Sequence, residues 1–353
     1  MEFAVGIVGT GWVAERHVAA LSKIEGLRIR AIAGRNEGAR GRLCASTGAM
    51  GYEDWRDMLG FEPLDAVFDL LPPQLHGEVE LACAGIVPAV LVEKPAALDL
   101  GVAAAVAEAF DKAGTFAAVA YLNRCRASVL RARELFASAG DRAVIVEGRW
   151  IGGVPAPLWW RDKALSGGQF HEQCTHFVDV ARFVVGEVVE VSAFAARGFV
   201  DDIEGYATDD AMTVNLRFAS GSLGSFATAC HGRHGLYDDG GISLAFGSRD
   251  TRVELSGWDM RLRMERRGGD DRVELETLEP EPDIFELEDR LFVRAAMEGR
   301  PALFPSSYSD ALRSLAVTLA ANESAASGST LTLSPDAVGF ARVPSAHRSI
   351  EKG

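Results

Sequence analysis

The sequence predicts a doubly wound parallel α/β domain followed by an α+β domain built on one large, mainly antiparallel open sheet. Three observations carry that prediction. Short apolar runs alternate with helix-period segments through the first 120 or so residues, the signature of parallel strands joined by crossover helices. The first of those runs ends in a glycine turn at the mouth of a helix. After about residue 124 the texture changes to a succession of strand-like segments joined by tight turns.

In order, FAVGIV at 3 to 8 reads as a buried strand and 12 to 24 as a helix. A strand near 28 to 33, a helix near 36 to 47 and a strand near 65 to 71 continue the pattern. A helix near 74 to 84, a strand at 89 to 92, a helix near 99 to 113 and a strand at 116 to 121 complete it. In the second half a helix near 126 to 138 leads to a strand near 143 to 151, and a glycine-marked helix spans about 168 to 185. Strands then fall near 188 to 197, 211 to 219, 222 to 229, 241 to 246, 251 to 256, 260 to 266 and 272 to 277. Helices near 284 to 298 and 308 to 326 close the chain, with a loosely ordered tail after about Pro344. The division this implies is 1–123 for a dinucleotide domain and 124–353 for a substrate and oligomerisation domain.

A chain of 353 residues, 48% apolar and 24% charged, is long enough for two cores. Its net charge of -14, with basic residues scattered, lacks the stripe needed to neutralise phosphates, so no nucleic-acid partner is expected. The run Phe3 to Val8 is far shorter than the ~20 residues that cross a bilayer and has no charged flank. No membrane association is expected, and the location expected is cytoplasmic. Five cysteines at wide spacings fit reduced thiols rather than a disulfide framework.

Gly9, Gly11 and Ala14 form G-x-G-x-x-A after the first strand, where small residues let a pyrophosphate approach the amides at a helix start. Thr10, Trp12 and Val13 complete that turn. A glycine turn without ligand is the bland alternative. An NAD site normally ends its second strand in an acid; here that end reads Ile32-Ala33-Gly34-Arg35-Asn36. Gly34 leaves room and Arg35 offers a guanidinium for a 2′-phosphate, so NADP is favoured and NAD remains open.

Glu93-Lys94-Pro95 follows the apolar strand 89 to 92 and lies at the carboxyl edge of the sheet, where ligands of such folds bind. A lysine there can polarise a substrate oxygen. Taken as one helix, the segment Ser166 to Asp179 aligns Glu172, His176 and Asp179 at i, i+4 and i+7 on a polar face turned to a cleft. Glu172 and His176, one turn apart, then form a general acid/base pair. Metal binding by His171, Cys174 and His176, or by Cys230, His231 and His234, is the rival; the spacings are not those of a zinc site, and no metal is expected.

Together, GTGWVA at 9 to 14, LPPQLH at 71 to 76, EKP at 93 to 95 and GGQFHEQCTHFVD at 167 to 179 resemble the Gfo/Idh/MocA oxidoreductases. The stretch from Pro301 to Ser324 is similar to the family's closing helices, so the resemblance covers nearly the whole chain. It implies a Rossmann domain, a second domain whose open sheet serves homodimer or homotetramer contacts, and hydride transfer between a nicotinamide and a polyol or keto substrate. It makes Lys94 the catalytic lysine and His176 the proton-exchanging histidine; in the mechanism this suggests, Glu172 orients His176 or a neighbouring hydroxyl. It places Leu71, Pro72, His76, Glu93 and Asn123 beside the cofactor. Tyr121, Arg124, Trp160 and Arg161 fall at the substrate, with His171 as a further contact. Many members carry Asp at the position of Glu172 and Gly at that of Gln169, which puts substrate geometry in question. A cofactor-binding regulator without turnover, and a reductase of a dihydrodiol, dicarbonyl or imine, are the rival functions. Retention of Lys94, Glu172 and His176 argues against the first, and Trp159, Trp160 and Phe170 near the presumed pocket keep the second open.

Overall fold

The first sheet forms because its central strands β1, β4 and β5 are apolar on both faces and are followed by segments that return over the sheet. In the computed structural model, which describes residues 2–137, 141–233, 236–237, 241–269, 272–334 and 339–342, these elements are β1 (Phe3–Val8), α1 (Trp12–Leu21), β2 (Leu27–Ala33), α2 (Glu37–Thr47), β3 (Met50–Tyr52), α3 (Trp55–Phe61), β4 (Ala66–Asp69), α4 (Glu78–Cys83), β5 (Ala89–Val92), α5 (Leu100–Ala113) and β6 (Phe116–Val119). Their order is β3-β2-β1-β4-β5-β6, all parallel. The order reverses between β1 and β4, which opens a crevice at their carboxyl ends. β3 and α3 carry no legible signal in the sequence: three and seven residues are too few to show a period, and α3 buries only Met58.

The second half contains α6 (Ala127–Phe136), β7 (Ile145–Ile151), α7 (Lys163–Ser166), α8 (Gln169–Glu172), α9 (Thr175–Val185), β8 (Val188–Ala196), β9 (Ala211–Phe218), β10 (Leu223–Ala229), β11 (Ile242–Gly247), β12 (Thr251–Ser256), β13 (Arg261–Arg267) and β14 (Val273–Leu278). It ends with α10 (Ile284–Met297), α11 (Tyr308–Ser327), β15 (Leu331–Leu333) and β16 (Phe340–Arg342). Ten strands make one sheet in the order β14-β13-β12-β11-β7-β10-β9-β8-β15-β16, antiparallel except where β10 runs parallel to β7. Alternation along β9 sends Met212, Val214, Leu216 and Phe218 inward onto the helices and Thr213, Asn215 and Arg217 outward. The tail after Pro344 lies outside the described residues. No helix among the described residues is long and apolar enough to cross a membrane.

The last two long helices do not stay within the second half. Phe285, Phe292 and Val293 of α10 belong to the core beneath the parallel sheet, where Phe292 stacks on Phe116 at 5.1 Å and meets Phe68 edge-on at 5.3 Å. Along α11, Tyr308, Leu312 and Leu315 enter the core on the sheet's other face, while Ala316, Val317 and Ala320 enter the core of the antiparallel sheet.

One expectation fails in a way that changes the site. The segment 168 to 185 is two helices: α8 ends at Glu172, Gln173 and Cys174 form a bend, and α9 starts at Thr175. The i, i+4, i+7 stripe therefore does not exist as drawn. Asp179 faces away from the cleft, bound to Arg124 at 2.6 and 2.7 Å and to the Ser314 hydroxyl.

Candidate active site

At the crevice, β1 runs into Gly9, whose φ of +112° is in the region that favours glycine. A Cβ there would lie 2.7 Å from the Leu70 carbonyl oxygen, so the turn is pressed against the loop after β4. Gly11 caps α1 without a side-chain hydrogen bond, leaving the first-turn amides without a side-chain acceptor. This cradle of small residues at a helix start fits a pyrophosphate. A Cβ on Gly34 would meet the Thr10 side chain at 2.6 Å, so the end of β2 is pressed equally close.

Two hollows meet at Leu71. One, of about 770 Å³, runs past Gly34, Arg35, Trp55 and His76. The other, of about 480 Å³, runs from the glycine turn, with Trp12 and Val13, past Pro72, Glu93 and Lys94 to Trp160, Glu172 and His176. Gln173, Trp150, Trp258 and Phe285 also line it, and none of these four was singled out from the sequence. Trp258 had a legible signal, a large aromatic inside the turn between two strand-like segments.

Lys94 leaves the end of β5 and donates from Nζ to the Glu172 carboxylate at 2.5 Å and to the Glu172 carbonyl at 2.9 Å. The other carboxylate oxygen of Glu172 accepts from the Trp160 indole at 2.9 Å. Glu172 is thus committed to Lys94 and Trp160, and none of its hydrogen bonds goes to His176. The pairing expected from one helical turn is lost because the bend at Gln173 and Cys174 re-aims the carboxylate.

His176 lies in an aromatic box. Trp150 is near-parallel to its ring at 6.3 Å, and Trp258 and Tyr121 meet it edge-on at 6.1 and 6.3 Å. Burial, then the nearby charges of Lys94 and Arg126, push its pKa well below the ordinary 6.5. The imidazole is therefore neutral and able to accept a proton. Its Nδ1 has no hydrogen-bond partner among the described residues.

Several expected contacts lie behind the walls. Tyr121 is buried and hydrogen-bonded to Thr175 at 2.7 Å. Asn123 accepts from Arg126, and Arg124 is buried between Asp179 and Asp310. Arg161 donates to the Glu204 carbonyl. His171 is fully buried, contacting Thr318 and the Ala97 carbonyl, and burial lowers its pKa to about 4. Phe170 packs edge-on against Phe226 in the core. His171, Cys174 and His176 do not converge on one point among the described residues, and His234 lies outside them.

Two buried polar clusters brace the cleft. His76 contacts the carbonyls of Leu71 at 2.8 Å and Ala96 at 3.2 Å, joining the loops after β4 and β5. Although burial opposes it, the carboxylates of Glu80 and Asp69 raise its pKa. On α1, His17 pairs with Asp289 of α10 at 2.8 Å and approaches Glu93 at 3.6 Å. Burial opposes the charge, yet Asp289 and then Glu93 raise the His17 pKa to about 10. Glu93 in turn accepts from the Lys94 amide at 2.8 Å. His17 was read only as part of a helix; a histidine on the buried face of a helix carries no sequence mark of its partner 272 residues away.

A nicotinamide-dependent oxidoreductase is the class that this sheet, turn and lysine define. The chain belongs to the Gfo/Idh/MocA oxidoreductase family: residues 3–121 match the family's NAD-binding Rossmann fold and 131–261 its C-terminal domain. It is 25% identical over 350 residues to the uncharacterised oxidoreductase YrbE of Bacillus subtilis, covering 94% of this chain and 97% of that one. It is 28% identical to myo-inositol 2-dehydrogenase of Thermotoga maritima over 224 residues, 62% of this chain and 66% of that one. The fold matches a levoglucosan dehydrogenase solved with NADH and levoglucosan at a TM-score of 0.82 and 20% identity, over 94% of this chain and 99% of that one.

Proposed function

We propose that the protein is an NADP-preferring dehydrogenase of a sugar, cyclitol or related polyol, acting through Lys94, Glu172 and His176. The observation that carries this reading is the Lys94 ammonium held on Glu172 at 2.5 Å beside a neutral, buried His176 on the wall of one cavity. When bound, the nicotinamide supplies the hydride acceptor, or donor, at the carbinol carbon. His176 takes the hydroxyl proton, and Lys94 donates a hydrogen bond to the oxygen as negative charge develops. Glu172, fixed by Trp160, positions the ammonium.

The cofactor preference rests on Arg35. It lines the larger hollow and makes no ion pair among the described residues, whereas Arg56 beside it is engaged by Asp54 and Glu78. The Arg35 charge acts on Asp54 without an ion pair, and a guanidinium so placed after β2 suits a 2′-phosphate. The outward face of the antiparallel sheet, where Ile145, Leu223 and Phe194 are exposed, supports self-association into a homodimer or homotetramer.

Fluorescence titration with NADPH and NADH, followed by turnover of a polyol panel with wild type and Lys94→Ala, tests this reading. Tighter NADPH binding and a loss of about 10²- to 10³-fold in kcat for the variant are expected. Binding of neither cofactor, or turnover unchanged in Lys94→Ala, overturns it.

A further inference from the structure

Two histidines hold consecutive carbonyls of the loop that carries Lys94, and their partners require different states of charge. His171 of α8 meets the Ala97 carbonyl at 3.1 Å and the Thr318 hydroxyl at 3.0 Å. A hydroxyl can give as well as take a hydrogen bond, so a neutral ring satisfies both contacts. His76 has no such freedom. Its Nε2 lies 2.8 Å from the Leu71 carbonyl oxygen and its Nδ1 3.2 Å from that of Ala96. Carbonyl oxygens only accept, and a neutral imidazole has one N–H and one bare nitrogen. In either tautomer the bare nitrogen would face an oxygen; the imidazolium alone donates to both.

The surroundings suit that charge. The ring is buried beside Asp69 at the end of β4 and Glu80 of α4, with one atom from each of the three within 4.8 Å of the others. Glu80 Oε1 stands 3.7 Å from Nδ1, and Glu80 Oε2 accepts from the Gly77 amide at 2.6 Å. Burial, then the charge of Glu80, pushes the Asp69 carboxyl up, so Asp69 is the acid that keeps a proton and Glu80 the one that balances the ring. Cys83 of α4 and Tyr308 of α11, the other titratable groups at this cluster among the described residues, are pushed up by burial and stay uncharged. With both nitrogens spent on carbonyls, His76 has no lone pair left for a cation.

We propose that His76 is a positioning residue for the reaction, an imidazolium whose two N–H groups tie the loop after β4 at Leu71 to the lysine loop at Ala96. Leu71 is where the two hollows meet, and Ala96 follows Lys94 by two residues. The tie therefore sets where Lys94 stands relative to the cofactor crevice. This rests on the dehydrogenase reading above and adds to it a proton that never enters the reaction. Although burial opposes the charge, Glu80 and then Asp69 raise the His76 pKa above the ordinary 6.5. The stabilisation it gives is thus complete below 6.5 and lost as pH rises through the folded value. Loss of that proton unties one loop, so cofactor affinity and turnover fall together at alkaline pH.

The first arm of the test reads the ring itself, in the full chain without cofactor. Long-range proton–nitrogen NMR correlations of the histidine rings, assigned through the backbone so that no variant is needed, should show both His76 nitrogens protonated at about pH 7.5, while His171 and His176 each keep a bare one. A bare His76 nitrogen at that pH overturns the proposal. The second arm follows the NADPH dissociation constant and kcat against pH in wild type and in Glu80→Gln, which keeps an acceptor for the Gly77 amide and removes the balancing charge. Proton loss from His76 and weakening of NADPH binding should coincide in the wild type, and both should move down by about one pH unit or more in Glu80→Gln. His76→Asn, whose single amide nitrogen cannot span both carbonyls, should bind NADPH about tenfold more weakly at neutral pH and change little further as pH rises. NADPH affinity that ignores the His76 titration would overturn the positioning role even with the ring charged. Binding of neither cofactor would count against the dehydrogenase reading itself, and the NMR arm would still read the charge on His76.

Discussion

At the scale of single residues, the site turns on how His176 is kept neutral. It is enclosed by three aromatic rings and lies near two cations, so both burial and charge disfavour its protonated form. In the unfolded chain the same histidine titrates near 6.5. The unfolded state therefore binds the proton first as pH falls, and stability is lost below about 6.5 while the folded site still holds a neutral ring. For catalysis the consequence is opposite in feel: the acid limb of kcat/KM for alcohol oxidation should lie well below pH 6.5. Because, after burial, the Lys94 charge does most to hold the His176 pKa down, Lys94→Met should move the residual acid limb upward. A pH–rate profile of both proteins checks this, and an acid limb of the wild type at or above 6.5 would refute the assignment of His176 as the base. Lys94, Glu172 and His176 were all nameable from motif and type. Their partnership was not, because a carboxylate written four residues before a histidine says nothing about a lysine 78 residues earlier.

At the scale of elements, the longer strands and helices were legible because most bury a regular face, whereas the three-residue strands β3, β15 and β16 were not. What escaped were features with no period. The bend between α8 and α9 is one, and it decides the site by freeing Glu172 to turn towards Lys94. At the other end of α8, Gly167 and Gly168, with φ of +77° and +84°, close α7 and open α8. A Cβ on Gly167 would lie 2.3 Å from the His171 ring, and His171 holds the Ala97 carbonyl just beyond Lys94 and Pro95. Gly26 has the same φ of +77° but nothing within 4 Å of its missing Cβ. Gly26→Ala should thus show the backbone strain alone, about 1–2 kcal/mol, with activity retained. Gly167→Ala should add roughly 1–3 kcal/mol for the displaced ring and lower kcat as the Lys94 loop loosens. Urea melts and steady-state rates of the two variants separate these effects; equal losses in both would show that the His171 contact positions nothing.

At the scale of the whole molecule, sequence order and core membership part company. A boundary near residue 123 follows the change of texture, yet α10 returns about 160 residues later to complete the core under β4 and β6. It brings Phe292 against Phe68 and Phe116, Phe285 against His17, and Asp289 as the ion-pair partner of that buried histidine. The helix α11 fastens the two sheets together, since one stretch of it belongs to each core. A fragment of residues 1–123 would expose the sheet face that α10 covers, where each large side chain contributes about 1.5–3 kcal/mol on burial. It would also leave His17 without Asp289, and removing one partner of a buried ion pair costs about 3–5 kcal/mol. Those losses rival the ~5–15 kcal/mol net stability of an ordinary domain. The fragment should therefore be expanded, bind a dye that reports exposed apolar surface, and melt without a cooperative transition. The full chain, with its two cores tied by α10 and α11, should unfold in one calorimetric transition. A fragment with dispersed amide resonances and a sharp melt of its own would show that the parallel sheet is complete without α10, and that the texture change near residue 124 marks an autonomous unit after all.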